Sequence, residues 1–160
     1  MKTTASFLLI LLVLTGTIAL AQNSEESAIR EVIEGETRAW LERDFDQWAS
    51  YWSHTPDAYF SVTMNQYIEF AEGWQAIADR MKNAMQQDTT VMSNINVARS
   101  EWHFRVNNNL AWARFSQSTN NGPLLKEQRV MEKVDGKWKI INMTTVNPSS
   151  YPVEARNPEP

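Results

Sequence analysis

Apolar residues recur at helical spacing in three stretches of the chain. Residues 24–43 carry apolar side chains mainly three and four positions apart, which predicts an amphipathic helix that starts near Ser24. Asp44 followed by Gln47 resembles a capping box, so a second, short helix is expected from Phe45 to Trp52. The same spacing returns from Gly73 to Gln87 and predicts a third helix.

The remaining chain alternates between large apolar and polar residues and predicts strands. Two short strands, 58–63 and 66–70, flank Met64-Asn65. Four longer strands are expected at residues 91–106, 110–119, 124–134 and 137–146. Asp135-Gly136 between the last two is a strong hairpin signal. The prediction is an α+β fold, in which three N-terminal helices pack in a curved, mostly antiparallel sheet and leave a cone-shaped hollow.

The N-terminus has the layout of a secretory signal peptide. Lys2 precedes an apolar run from Phe7 to Leu14, and Ala19-Leu20-Ala21 forms a small-residue cleavage site. The run is shorter than the roughly 20 residues that span a bilayer. We therefore expect a signal peptide at 1–21, one domain at 22–147 and a Pro-rich flexible tail at 148–160. The destination would be the bacterial periplasm or the extracellular space.

Composition narrows the classes of function. The chain has no Cys, so no disulfide can form. Without Lys2 the charged residues number 14 basic and 19 acidic, a formal net charge of −5. An acidic surface disfavours nucleic acid and, after cleavage, membrane. Seven Trp, six Phe and four Tyr exceed the needs of a small core and point to an aromatic-lined pocket for a small hydrophobic or mixed-polarity molecule.

Common catalytic and cofactor motifs are missing from the sequence. It contains no Gly-rich phosphate loop, no His-Glu-x-x-His and no Gly-x-Ser-x-Gly. The two histidines, His54 and His103, lie far apart in sequence, so no set of three or four zinc ligands can be assembled. We expect neither a cofactor nor a metal.

Four segments, in order, resemble the nuclear transport factor 2-like superfamily, which includes ketosteroid-isomerase-like and SnoaL-like proteins. They are Trp40-Leu41-Glu42-Arg43-Asp44-Phe45-Asp46, Pro56-Asp57-Ala58-Tyr59-Phe60, Gly73-Trp74-Gln75-Ala76-Ile77 and Asp135-Gly136-Lys137-Trp138-Lys139-Ile140. The resemblance covers about residues 24 to 147 and implies a cystatin-like cone, an α+β barrel. It also implies a homodimer through the sheet.

The resemblance does not carry over the isomerase residues. The position of the isomerase base falls near Val62 and that of its tyrosine donor near Glu36, and neither residue type matches. Valine cannot exchange a proton, so whether the protein is an enzyme stays open. Related families often carry histidines where Asn142 and Thr144 stand, and these two side chains can orient a ligand by hydrogen bonding.

The candidate ligand-binding residues follow from these patterns. Trp40, Trp48 and Trp138 are expected in the core, whereas other aromatic residues are pocket candidates, namely Trp52, Tyr59, Trp74, Trp102 and Trp112. If Trp138 and Ile140 lie on the concave face, strict alternation adds Asn142 and Thr144 to it. Arg114 and Arg129 could form cross-strand ion pairs, or one could enter the pocket and hold an acidic or carbonyl-bearing ligand.

Three interpretations of function remain. The first is an exported small-molecule-binding domain, favoured by the aromatic excess. The second is a polyketide-cyclase- or dehydratase-like enzyme that uses a pocket carboxylate, with Asp57 and Glu132 as candidates. The third is an interaction module that dimerises through the convex face of the sheet.

Overall fold

The structure of the protein is a computed structural model that describes residues 4–64, 67–92 and 94–148, with side chains from residue 23 onward. Its helices are α1 (Thr4–Glu42), α2 (Phe45–Ser50) and α3 (Trp74–Gln87). Its strands are β1 (Tyr59–Met64), β2 (Tyr67–Glu72), β3 (Val97–Asn107), β4 (Leu110–Thr119), β5 (Leu125–Val134) and β6 (Lys137–Val146).

The six strands form one open, curved sheet in the order β2-β1-β6-β5-β4-β3. All neighbours are antiparallel except β1 and β6, which run parallel. We call the sheet face that packs against the helices the inner face and the opposite one the outer face. The predicted α+β fold, with helices packed in a curved and mostly antiparallel sheet, is confirmed; β2 and β3 are free edges, so the barrel is not closed.

Local signals explain the elements that were predicted well. The Asp44 side chain accepts a hydrogen bond from the backbone N–H of Gln47 at 2.9 Å and caps α2. Asp135 and Gly136 both have positive φ, 51° and 76°, as a tight hairpin turn requires. The observed bounds of β4 and β6 equal the predicted ones.

Two predicted bounds are wrong for reasons of pairing. The strand expected from Val91 begins at Val97, because Val97 pairs with Thr119 and β4 ends there. Helix α2 ends at Ser50 rather than Trp52. The backbone of residues 51–53 leaves the helix to exchange hydrogen bonds with Ile140 of β6.

Helix α1 runs through Ser24 without a break, so Ser24 is not its start in the full chain. Cleavage after Ala21 stays a prediction. Met64 is the last residue of β1, whereas Asn65 and nearly all of the tail predicted at 148–160 lie outside the described residues. Among the residues described, no helix combines the length and the apolar character needed to cross a membrane.

Candidate functional site

A β-bulge in β6 decides which side chains enter the hollow. Met131 of β5 pairs with Ile140, but its neighbour Val130 pairs with Asn142, so Ile141 has no partner. The extra residue shifts the alternation of side chains by one position. Beyond the bulge, Met143 lies on the inner face, and Asn142 lies on the outer face.

A pocket of about 380 Å³ lies between the three helices and the inner face of the sheet. We call it the cone pocket. Its apolar wall consists of Trp40, Trp48, Phe60, Val62, Met64, Met81, Ala84, Leu125 and Met143. Its polar lining consists of Glu36, Thr37, Glu69, Arg80, Gln117, Glu127, Arg129 and Thr145. Its aromatic side chains are Trp40 and Trp48 from the helices and Phe60 from β1, and the other apolar side chains are aliphatic.

A buried carboxyl group, that of Glu36, lies at the inner end of the cone pocket. Glu36 is 4% exposed, and the indole Nε1 of Trp48 donates a hydrogen bond to its Oε1 at 2.6 Å. Burial raises the pKa of Glu36, against the opposing effects of the Arg129 charge and the Trp48 hydrogen bond. Glu36 is therefore a buried acid that keeps its proton to higher pH than an exposed glutamate.

Beside Glu36 lies a buried ion pair on β5. Arg129 Nη1 donates to Glu127 Oε2 at 2.8 Å, and both side chains are at most 2% exposed. Thr145 Oγ1 donates to the same carboxylate oxygen at 2.7 Å. Arg129 Nη1 also donates to the backbone carbonyl of Gln128 at 3.0 Å. The carboxylate of Glu127 is thus paired and hydrogen-bonded, as a buried carboxylate needs to be.

A second arginine approaches the same region from β3. Arg99 Nη2 donates to Thr37 Oγ1 at 2.7 Å. The guanidinium carbons of Arg99 and Arg129 lie 5.8 and 5.6 Å from the centre of the Phe115 ring, within range of cation–π attraction. Desolvation and the nearby Arg129 charge lower the pKa of Arg99, which stays cationic because arginine titrates far above neutral pH.

Opposite charges pair across the other end of the cone pocket. Arg80 on α3 forms a salt bridge with Glu69 on β2, and both side chains are partly exposed. Gln117 on β4 lines the same pocket, and its Oε1 is buried without a hydrogen-bond partner among the described residues. The pocket therefore runs from a solvent-exposed ion pair to a buried polar floor, which we define as Glu36, Glu127 and Arg129.

The resemblance placed an isomerase base near Val62 and a donor near Glu36, and both residues line the cone pocket. Val62 offers no chemistry there, but Glu36 carries a protonatable group at the donor position. The sequence carried a signal for this: Glu36 follows Ile29 and Ile33 on the apolar stripe of α1, where all three are buried. A charged residue in such a stripe is a functional candidate.

Of the nine predicted ligand-binding residues, Arg129 lines the cone pocket. Trp52 is packed in the core with its ring centre 5.3 Å from that of Trp48, and its Nε1 has no partner among the described residues. Trp74 stacks on His54 at 3.9 Å. Trp102 stacks on Phe115 at 4.3 Å and is covered by Arg30. Hence Trp52, Trp74 and Trp102 serve as packing around the pocket.

The other five predicted residues, Tyr59, Trp112, Arg114, Asn142 and Thr144, lie on the outer face. Asn142 and Thr144 were expected on the concave face, and the bulge at Ile141 is the reason that they are not there. Tyr59 pairs with Asn142 and shares its face, while Trp112 and Arg114 alternate with the buried Ala111, Ala113 and Phe115.

Neither candidate catalytic carboxylate lies in the cone pocket. Asp57 is exposed in the turn before β1. Glu132 lies between the inward Met131 and Lys133 on β5, which places it on the outer side, where it accepts a hydrogen bond from Ser53 Oγ. Trp48 and Trp138 are buried in the core as expected, and Trp48 also lines the cone pocket. Trp40 is partly buried, packs against the core and lines the pocket, and Trp138 Nε1 donates a hydrogen bond to Glu25 at 2.7 Å.

The outer face also carries a depression of about 520 Å³. Three of its polar side chains bond to one another: Lys126 Nζ lies 2.8 Å from both Glu101 Oε2 and Ser116 Oγ. Ser116 Oγ in turn donates to Glu101 at 2.5 Å. These three groups satisfy one another, and the depression has no tryptophan in its lining, so the cone pocket is the stronger candidate for a ligand with an apolar body. No group of three metal-binding side chains occurs in the part of the chain that the structure describes.

No protein-family model matches the chain, and no curated protein sequence is significantly similar to it. Solved structures do match. An NTF2-like protein of unknown function from Pseudomonas putida KT2440 has 17% identity and a TM-score of 0.62, covering 78% of this chain and 87% of its own.

Two further solved structures are similar to this chain to the same extent as the Pseudomonas putida protein. A cystatin-like fold protein of unknown function from Nostoc punctiforme PCC 73102 has 15% identity and a TM-score of 0.62, with coverage of 79% and 93%. A candidate dehydratase of the NTF2-like family from Streptomyces avermitilis has 14% identity and a TM-score of 0.62, with coverage of 79% and 97%. At this level of identity the likeness concerns the fold and not the reaction. The chain has the nuclear transport factor 2-like, cystatin-like fold that its sequence resembles.

Proposed function

We propose that the protein binds a small organic molecule in the cone pocket, as an exported binding domain. The observation that carries this proposal is the pairing of an apolar, tryptophan-lined wall with a buried polar floor in one pocket of about 380 Å³. Ligand sites combine these two features, because the wall supplies burial and a few polar groups fix orientation. The export step rests on the signal-peptide pattern of the sequence.

Unpartnered buried atoms support the same proposal. Arg129 Nε and Gln117 Oε1 have no hydrogen-bond partner among the described residues, although both side chains line the cone pocket. A buried polar atom without a partner costs about 1–3 kcal/mol. A ligand or ordered water that bonds to the floor would recover part of that cost.

A neutral aromatic probe, 1-naphthamide, tests the binding proposal. Its binding to the mature protein is followed by tryptophan fluorescence, since Trp40 and Trp48 line the pocket, and by amide chemical shifts. Val62→Trp fills the pocket from β1 and should weaken binding at least about 10-fold by steric exclusion. Thr63→Trp is the matched control, because Thr63 points to the outer face. Equal binding by both variants, or no binding by the wild type, would contradict the proposal.

A second candidate function is acid–base catalysis by Glu36. The observation that favours it is a buried carboxyl with a raised pKa, held by Trp48 within a ligand-sized pocket. A carboxyl group whose pKa is raised by burial can serve as a general acid or base. β-Hydroxy ketones and esters, assayed for loss of water by mass spectrometry, are suitable substrates. Turnover by the wild type that Glu36→Gln abolishes would support catalysis, and turnover that survives the substitution would contradict it.

A further inference from the structure

The guanidinium of Arg129, a residue that lines the cone pocket, has one edge that makes no hydrogen bond to a described residue. Its Nη1 makes both of the hydrogen bonds of this group, to Glu127 and to the carbonyl of Gln128. Nε is buried without a partner, and no hydrogen bond to a described residue uses Nη2. The N–H groups of Nε and Nη2 point the same way, which is the geometry that accepts a carboxylate with two parallel hydrogen bonds.

We propose that the ligand of the cone pocket is a monocarboxylate with an apolar body, held at its charged end by the guanidinium of Arg129. This inference rests on the proposed binding function and adds the chemical class of the ligand. The apolar body would lie along Trp40, Phe60 and Met143, which line the pocket outward from the floor. Nε has almost no exposed surface, so a carboxylate meets Nη2 first, and a small rotation of the guanidinium completes the pair.

The charges around the floor favour an anion when Glu36 is protonated. Arg129 and Arg99 carry positive charges, and among the described residues Glu127 supplies the carboxylate that pairs with Arg129. Glu34 also faces Arg99 but is exposed, so water screens its charge. When Glu36 is neutral, the two arginines and the Glu127 carboxylate together have a formal net charge of about +1. A bound carboxylate would compensate this charge.

The charged groups that act on Glu36 come from two strands. Arg129 and Glu127 approach from β5 and Arg99 from β3, while Trp48 on α2 donates the hydrogen bond. The charged groups at the other end of the pocket, Glu69 and Arg80, pair with each other. A ligand carboxylate would add a negative charge beside Glu36 and favour its protonated form further. Binding should therefore take up a proton, and affinity should rise as the pH falls towards the pKa of Glu36 in the free protein.

The test compares 1-naphthoate with 1-naphthamide, which has the same apolar body and no charge. Isothermal titration of the mature protein should show naphthoate binding at least about 10-fold more tightly, since hydrogen bonds to a charged group are the stronger ones. Naphthoate affinity should fall as the pH rises, and naphthamide affinity should not change. Titration in two buffers of different ionisation enthalpy should show proton uptake with naphthoate, and Glu36→Gln should abolish that uptake.

Two variants test whether the preference for naphthoate depends on Arg129. Arg129→Met combined with Glu127→Gln removes both members of the buried ion pair together and should remove the preference for naphthoate while naphthamide still binds. Arg114→Met, on the outer face of the neighbouring strand, should leave naphthoate affinity unchanged. Equal affinity for the two probes in the wild type, or proton uptake that persists in Glu36→Gln, would overturn the inference and leave the binding function standing. Failure of both probes to bind would instead overturn the binding function.

Discussion

Replacing Glu36 by Gln is expected to stabilise the folded protein, and by more at high pH than at low pH. Gln has nearly the same shape, and its carbonyl oxygen can still accept the hydrogen bond from Trp48 Nε1. What the substitution removes is the ability to ionise at a site that is 4% exposed. The comparison therefore isolates the cost of a buried negative charge.

The size of the effect follows from proton linkage. In the unfolded chain Glu36 titrates at its ordinary pKa of 4.5, and burial raises the pKa in the folded state. Between the two pKa values the folded state holds more protons, so the free energy of unfolding of the wild type falls as the pH rises. The total loss is about 1.4 kcal/mol for each unit by which folding raises the pKa. It becomes constant above the folded pKa, and the Gln variant does not suffer it.

Urea unfolding followed by tryptophan fluorescence measures this difference. The free energies of unfolding of wild type and variant are compared at steps between about pH 4.5 and pH 8. The difference in favour of the variant should grow as the pH rises. Glu31→Gln, on the exposed side of the same helix, should show no such trend. A difference between Glu36→Gln and wild type that stays flat across this range would show that Glu36 ionises in the folded state as easily as in the unfolded state, and would refute the reasoning.

Three other predictions concern the ends and the outer surface of the domain. Glu25 accepts hydrogen bonds from Lys133 and Trp138, so Glu25→Ala should lower the free energy of unfolding by about 1 kcal/mol after allowance for solvent screening. These bonds lower the pKa of Glu25, so the loss should be seen above its ordinary value of 4.5 and fade in acid; chemical unfolding at two pH values measures it. Expression with export should give an intact mass that corresponds to cleavage after Ala21, and retention of the full chain would contradict the signal peptide. A homodimer through the outer face should appear in sedimentation velocity at micromolar concentration and dissociate in Trp112→Glu, whereas a monomeric wild type would exclude it.

Sequence patterns predicted the elements because their signals are local. The Asp44 cap needs only its own helix, and Asp135-Gly136 fixes its turn by backbone conformation. The start of β3 was wrong because it depends on where β4 ends, which is a property of the paired strand. The parallel contact of β1 with β6 likewise joins residues that are about 80 positions apart in the chain, as Tyr59 and Asn142 show.

The pocket was harder to predict than the fold. A single unpaired residue, Ile141, places Asn142 and Thr144 on the outer face of the sheet instead of the inner face. No feature of the strand sequence marks Ile141 as a bulge. Trp40 and Trp48, which are predicted in the core, also line the cone pocket. Helical spacing distinguishes inward from outward positions, but it does not distinguish fully packed side chains from those that also border a pocket. Glu36 was read as a mismatch to a tyrosine, although its place in an apolar stripe was visible.

The bulge at Ile141 in β6 also affects the shape of the cone pocket. Deleting Ile141 would restore regular pairing of Ile140 with Met131 and of Asn142 with Val130, so every side chain would keep its present orientation. What would disappear is the local bend that bulges introduce. We expect a straighter strand, with Met143 and Thr145 displaced relative to the helices. The volume of the cone pocket would then depend on Ile141, which is not one of its lining residues. Natural or engineered changes of strand length could therefore change this volume without replacing any lining residue.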